Sequence, residues 1–251
     1  MLLRDRVVIV TGGGHGIGAC ISRVLAAHGA TVAVNFCASP ERAAGVVAGI
    51  EAAGGAARAY GADVRSPGEV DAMVAAVAAD YGRIDGVVHN AIGGAQPGSL
   101  DDCDLAGYQN MLDFGCHAVV NLVKAVRPIM REQGGGQIVN IVTELWNMAP
   151  AGWSMYLAGK GAMVGLSRSL ANELGPEKIT VNMVAPGWMA DEKVDTTSEG
   201  SIRFGESVPL RWHGSGDEIG NGCVFFLSDL ARYVTGAYLP VTGGRVTQMG
   251  A

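Results

Sequence analysis

Tyr156 and Lys160 stand four residues apart, so on a helix their side chains lie one above the other on a single face. A free phenol has a pKa near 10, too high to trade protons efficiently at neutral pH. A lysine ammonium beside it favours the phenolate and brings that value down, so the pair could give a proton to an oxygen or take one from it. Alone, a Tyr-x-x-x-Lys spacing is a common surface coincidence. Here it accompanies Thr11-Gly12-Gly13-Gly14-His15-Gly16-Ile17-Gly18, which follows the apolar run Val7 to Val10 and leads into Ile21, Val24 and Leu25 at helical spacing. Strand, glycine loop and helix in that order set backbone N–H groups and a helix N-terminus against a pyrophosphate. The lysine of a P-loop is missing, which disfavours ATP and GTP.

Such groups need a scaffold that brings them together. Short apolar, β-branched runs bounded by turn residues recur at Arg6 to Val10, Thr31 to Phe36, Ala57 to Ala62, Gly86 to His89, Gln137 to Ile141, Thr180 to Val184 and Ala237 to Val241, each reading as a buried strand. Helical periodicity fills the intervals, as in Val70, Met73, Val74 and Val77. Ser39-Pro40-Glu41 and Ser66-Pro67 with Glu69 open two of the helices, and Gly29 and Gly82 close two others. Leu105 to Arg131 and Trp153 to Leu174 read as the longest. Strict alternation of strand and helix predicts α/β architecture: one doubly wound Rossmann-type domain over residues 1–251, a parallel seven-stranded sheet with helices on both faces. Ligands in such sheets bind beyond the carboxyl ends of the strands, where the strand order reverses.

Composition narrows the function. The chain has 251 residues, 49% hydrophobic and 17% charged, with a formal net charge of −6 and a pI near 5.3. No basic run could track a phosphate backbone, so nucleic acid is not an expected partner. Cys20, Cys37, Cys103, Cys116 and Cys223 form no CxxC pair and are odd in number, which argues against a disulfide framework and a zinc site and for a reducing, cytoplasmic compartment. The opening apolar run is too short for a signal peptide, and no stretch reaches the roughly 18 apolar residues of a membrane helix. Glycine is the outlier: 38 residues, about twice the usual share of roughly 7%, with no repeat to absorb them.

Thr11-Gly-x-x-x-Gly-x-Gly18, Asp63-Val64, Asn90-Ala91, Tyr156-x-x-x-Lys160, Asn182 and Pro186-Gly187 follow one another in the order of the short-chain dehydrogenase/reductase family, which the chain resembles from Val7 to about Arg245. The resemblance implies that Gly12, Gly16 and Gly18, with Thr11, Gly14, His15 and Ile17 around them, shape the pyrophosphate loop of a nicotinamide cofactor. It implies further that Asp63 and Val64 flank the adenine, that Asn90 and Ala91 support the loop after the fourth strand, and that Pro186, Gly187 and Met189 lie by the nicotinamide. Tyr156 would transfer the proton, Lys160 would tune it and hold the ribose, and Thr143, thirteen residues before Tyr156 where the family has serine, would hold the substrate oxygen. Threonine keeps the hydroxyl but stiffens χ1.

An acidic residue at the end of the second strand would bind the ribose 2′-hydroxyl of NAD and repel a 2′-phosphate. Asn35-Phe36-Cys37-Ala38-Ser39 holds none, and His15 stands where the family often has a basic residue. NADP(H) is expected over NAD(H), with NAD-dependent alcohol oxidation the alternative. Asn35-Phe36-x-x-Ser39 also gives the chain a 3-oxoacyl-(acyl carrier protein) reductase-like look.

Three positions depart from the family pattern. Gly115 falls where the family has an asparagine thought to tie a water into the proton relay; either a second water fills the space the missing side chain leaves, or the relay is broken. Asp191 replaces a threonine that would bond the nicotinamide carboxamide, and Ile92 interrupts Asn-Ala-Gly. Gly115 and Asp191 motivate a different reading, a nucleotide-binding scaffold with impaired catalysis, against which the intact Tyr156 and Lys160 argue. The segments expected to bound the substrate carry Glu144, Trp146, Met148, Trp153, Trp188 and Met189, apolar and polarisable groups suited to a bulky apolar or aromatic ketone, with Trp146, Trp153 and Trp188 as contacts. Residues 191–207, rich in Thr, Ser and Gly, read as a mobile lid. The resemblance implies a homotetramer, or a homodimer, built from the two long helices and the C-terminal segment.

Overall fold

The computed structural model describes residues 1–94, 96–192 and 194–246. Its strands are β1 (Val7–Val10), β2 (Thr31–Phe36), β3 (Ala56–Gly61), β4 (Gly86–His89), β5 (Gly136–Ile141), β6 (Ile179–Pro186) and β7 (Tyr238–Val241). They form one seven-stranded sheet in the order β3-β2-β1-β4-β5-β6-β7, with every neighbouring pair parallel. The doubly wound α/β expectation holds, and the strand ends differ from the sequence reading by a residue or two.

Alternation along each strand builds two cores. Val7 and Ile9 enter one, with Val70, Met73 and Val77 of α3 (Pro67–Tyr81), Leu122, Val126 and Met130 of α5 (Ala118–Glu132), and Met163 and Leu174 of α7 (Ser154–Leu174). Val8 and Val10 enter the other, with Ile21 and Leu25 of α1 (Gly16–Ala27), Val46 and Ile50 of α2 (Pro40–Ala52), and Ile219 and Phe226 of α9 (Gly216–Leu227). Each such aliphatic side chain, taken fully out of water, contributes roughly 1.5–3 kcal/mol. A strand buried on both faces therefore reads as an unbroken apolar run.

The chain leaves β1 towards β2 and β3, then returns to lay β4 on the other side of β1. This reversal opens a crevice beyond the ends of β1 and β4, closed at its floor by Thr11 N–H donating to Val88 O at 3.0 Å. In α7, Met163, Ser167, Ala171 and Leu174 are buried, and Tyr156 and Lys160 continue that stripe towards the crevice. Asn140 Nδ2 donates to Ser167 Oγ at 2.8 Å and Ser167 Oγ to Met163 O at 2.7 Å, riveting the helix to β5.

Two helical expectations need correction. The stretch 105–131 is not one regular helix: α4 (Leu105–Leu112) passes through a wide π-turn at Asp113–His117 into α5. The turn widens where Gly115 meets α7 at backbone contact, as described below. Residues 191–207 are not a loop throughout. A turn at Asp195, whose side chain accepts from Thr197 N–H at 2.9 Å, leads to Ser198, which caps α8 (Glu199–Ser207) by accepting from Ser201 N–H. The N-cap serine and the first-turn glutamate were legible signals.

Candidate active site

The crevice holds a cavity of about 400 Å³ lined by the glycine loop from Gly12 to Gly18, the end of β2 from Asn35 to Ser39, Arg42, Asp63, Val64, Arg65, Asn90, Ala91, Phe114 and Asp191. Gly18 is obligatory there, because a Cβ would stand 2.2 Å from Gly12 O, inside any permitted contact. Gly14 serves packing as well, lying against Ala43 of α2. Asn90 Nδ2 donates to Thr11 O at 3.1 Å, and Asn35 Oδ1 accepts from Gly12 N–H at 3.3 Å while its amide nitrogen donates to Ala62 O at 3.0 Å. Asn35 therefore ties the loop to β3 from a buried position.

Thr11 and His89 are fully buried and meet at 3.1 Å between Oγ1 and Nδ1. His89 Nε2 lies 3.0 Å from Phe114 O, and a carbonyl can only accept, so Nε2 carries the proton. Burial holds the imidazole neutral, with its pKa pushed down to about 4. Nδ1 must then accept from the Thr11 hydroxyl, whose oxygen accepts in turn from the Asn90 and Ala91 N–H groups, both at 3.0 Å. One chain of hydrogen bonds joins the glycine loop, the end of β4 and the π-turn. Sequence reasoning missed His89, whose type between strand and loop gave no signal. It also missed Arg42, three residues beyond Ser39 on the first turn of α2, where a basic residue could have been noticed.

Tyr156, Lys160 and Thr143 come together at the ends of β5 and α7. The nearby Thr143 side chain favours the Tyr156 phenolate, but burial outweighs it and holds the tyrosine pKa above its usual value. Lys160 Nζ lies 5.8 Å from the Tyr156 ring centre and donates to Ile141 O at 2.6 Å. It is fully enclosed, and burial pushes its own pKa down to about 7. In the protein alone desolvation dominates both groups.

Gly115 leaves no room for a water. A Cβ on it would stand 2.0 Å from Gly159 O, and one on Gly159 would stand 2.4 Å from Met111 O. The two helices close backbone to backbone where the family pattern has an asparagine, so the filled-gap expectation fails.

The aromatic residues go to separate places. Trp153 packs edge-on against Tyr156, ring centres 5.7 Å apart. Trp146 of the short α6 (Leu145–Met148), half exposed, lies over Gly161 on α7. Trp188 meets Phe204 edge-on and His213 at a tilt, ring centres 4.7 Å apart in each case, and, with Gly187 and Met189, lines a second cavity of about 490 Å³ walled by Phe204, Val208, Leu210 and Trp212. Met189 thus belongs to this apolar cavity and not to the walls of the nucleotide crevice. Pro186 O accepts from Glu144 N–H at 2.9 Å, and Gly187 N–H donates to Val241 O at 3.1 Å, holding the end of β6. Glu144, buried beside Thr143, is pushed up by desolvation and held back by Arg245 at 3.0 Å and the Trp188 amide.

The crevice fits a dinucleotide on the protein's own evidence: the Gly16 N–H at the start of α1 already donates to a carboxylate, Glu192 Oε1, at 2.7 Å. An anion is accepted where a pyrophosphate would lie.

A family model described as enoyl-(acyl carrier protein) reductase matches residues 12–245. With this fold and site, the chain belongs to the short-chain dehydrogenase/reductase family and is an NAD(P)-dependent oxidoreductase. It is 33% identical over 241 residues to a 3-oxoacyl-(acyl-carrier-protein) reductase FabG of Staphylococcus epidermidis, covering 96% of this chain and 98% of the relative. Among solved structures it resembles a short chain dehydrogenase from Burkholderia cenocepacia in complex with NADP (36% identity, TM-score 0.87, covering 97% and 99% of the two chains). It also resembles a blue fluorescent protein from a metagenomic library in complex with NADPH (34% identity, TM-score 0.88, covering 98% and 100%). Among the described residues no helix is long and apolar enough to cross a membrane.

Proposed function

We propose that this protein is an NADP(H)-dependent ketoreductase that converts a bulky apolar, aromatic or acyl ketone to a secondary alcohol, or runs the reverse. The observation that carries the reading is the Thr143, Tyr156 and Lys160 group beside a dinucleotide crevice, with Thr143 and Lys160 buried and Tyr156 partly so. The nicotinamide, when bound, supplies or accepts the hydride. Thr143 donates a hydrogen bond to the substrate oxygen and orients it. Tyr156 gives its phenolic proton to that oxygen in reduction and recovers it in oxidation. Lys160, anchored on Ile141 O, holds positive charge beneath the ring when protonated and binds the ribose of the cofactor.

His15 before α1, Ser39 after β2 and Arg42 of α2 line the crevice, and residues 35–39 at the end of β2 hold no carboxylate, which supports a 2′-phosphate and so NADP(H). Arg42 is the strongest of the three, since a guanidinium forms charge-assisted bonds to phosphate that a neutral imidazole cannot. The apolar cavity at Trp188 and the Trp153 ring on Tyr156 support an apolar substrate arm. Exposed Leu100, Leu105 and Trp146 suit a homo-oligomeric contact, dimer or tetramer, and five unpaired cysteines suit a cytoplasmic setting.

Titration with NADPH and NADH, followed by turnover of the preferred one on aromatic and acyl ketones, tests the reading. Tyr156→Phe should leave NADPH binding intact and cut turnover by roughly 100-fold or more. Unchanged turnover in that variant would sink the assignment, and binding without turnover on any ketone would favour the scaffold reading that Gly115 motivates.

A further inference from the structure

The segment after β6 is anchored up to Ala190 and then changes character. Ala190 N–H donates to Gly214 O at 2.8 Å, Gly216 N–H donates to Ala190 O at 3.0 Å, and Ala190 is buried. The next two residues are both carboxylates, and both reach the glycine loop. Glu192 Oε1 accepts from Gly16 N–H at 2.7 Å. Asp191 lines the nucleotide crevice, and a Cβ on Gly16 would stand 3.3 Å from Asp191 Oδ2. Gly16 is the first residue of α1, whose N-cap His15 makes no side-chain cap bond. The amide that opens the positive end of this helix is thus satisfied by a carboxylate that comes from 176 residues away.

We infer that Glu192, with Asp191 beside it, sets the nucleotide affinity of the site by competing with the bridging phosphates for the N-terminus of α1. The inference rests on the reading of the crevice as a dinucleotide site. A carboxylate and a pyrophosphate are both anions that want the same N–H donor and the same helix dipole. They cannot share one donor without like-charge repulsion. Dinucleotide entry therefore displaces Glu192, and Asp191 beside it, from the loop. Ala190 stays anchored, because the hydrogen bonds that hold it do not involve the loop. Binding is consequently weaker than the bare crevice would allow by the free energy of the Glu192 contact, and nucleotide release is assisted when the carboxylate returns.

The experiment is a fluorescence titration of the full chain with NADPH, run on the parent, Glu192→Gln and Glu192→Ala. Adenosine 2′-phosphate serves as a probe that lacks the bridging phosphates, and Glu199→Gln as a control that removes one negative charge from α8, where Glu199 pairs with Arg203. Glutamine keeps an acceptor for Gly16 but loses the charge, so the helix start stays capped and folding is preserved. The expected result is an NADPH dissociation constant lowered roughly three- to tenfold in Glu192→Gln and at least as much in Glu192→Ala. Adenosine 2′-phosphate binding and the Glu199→Gln variant should match the parent. NADPH binding that is unchanged or weaker in both Glu192 variants overturns the inference. So does an equal gain for adenosine 2′-phosphate, which would mark a general charge effect. Failure of NADPH and NADH to bind any of the proteins would instead overturn the dinucleotide reading itself, and this inference with it.

Discussion

Placing an asparagine at position 115, the residue of the family pattern, should damage this protein and not repair its proton relay. The added Cβ alone would sit 2.0 Å from Gly159 O and 2.5 Å from Gly159 C, where ordinary contact begins at 3.4 Å. The helices must part by about 1.4 Å, the difference between 3.4 and 2.0 Å. Met111 O meets Gly159 from the same arm as Gly115, one turn earlier, so both close contacts must open together. Overpacking against rigid backbone costs about 3 kcal/mol, the upper end of the usual range, against less than about 1 kcal/mol gained by removing a glycine from a helix. The clash wins. For a chain of this size that loss lowers the melting temperature by about 6–12 °C. Gly159 directly precedes Lys160 and lies three residues from Tyr156, so the displacement also reaches the reacting groups. Turnover should fall by up to roughly 100-fold for a misplacement near 1 Å. Thermal unfolding followed by circular dichroism, with turnover on the best ketone, reads both effects. A Gly115→Asn variant that melts with the parent, or turns over faster, would refute the close-packed account of this helix pair.

Arg42→Ala should weaken NADPH roughly tenfold or more, the value of a charge-assisted bond, and leave NADH unchanged in parallel titrations; equal loss for both nucleotides would place the 2′-phosphate elsewhere. His89 predicts an acid-labile fold. Its pKa is about 4 in the protein against 6.5 as an ordinary histidine, so the unfolded chain takes the proton first. The stability it contributes is complete above pH 6.5 and is lost as pH falls to 4, in total about 3 kcal/mol. Urea unfolding at pH 7 and pH 4 should show that loss in the parent and not in His89→Asn, and equal pH sensitivity in both would count against a neutral His89.

The strands, their parallel order and the glycine loop were legible because burial on both faces leaves continuous apolar runs, and because a turn that must approach Gly12 O tolerates only glycine. The Tyr156 and Lys160 pair was legible because four residues on a helix is a fixed rotation. The start of α8 at Ser198 was legible too, but a polar composition was read there as a loop. What no local pattern carried was contact between distant segments. Glu192 reaches Gly16, His89 binds a carbonyl in the π-turn, Arg245 neutralises Glu144, and Gly115 meets Gly159. Composition and periodicity report how a residue relates to its neighbours in the chain, and so they determine elements, faces and the parallel character of the sheet. Desolvation of Tyr156 and Lys160, the closeness of two helices and the meeting of the Glu192 carboxylate with a helix terminus depend on distances between segments. Only tertiary packing decides these, because the free energy of burial and of charge is set by what surrounds a group in space.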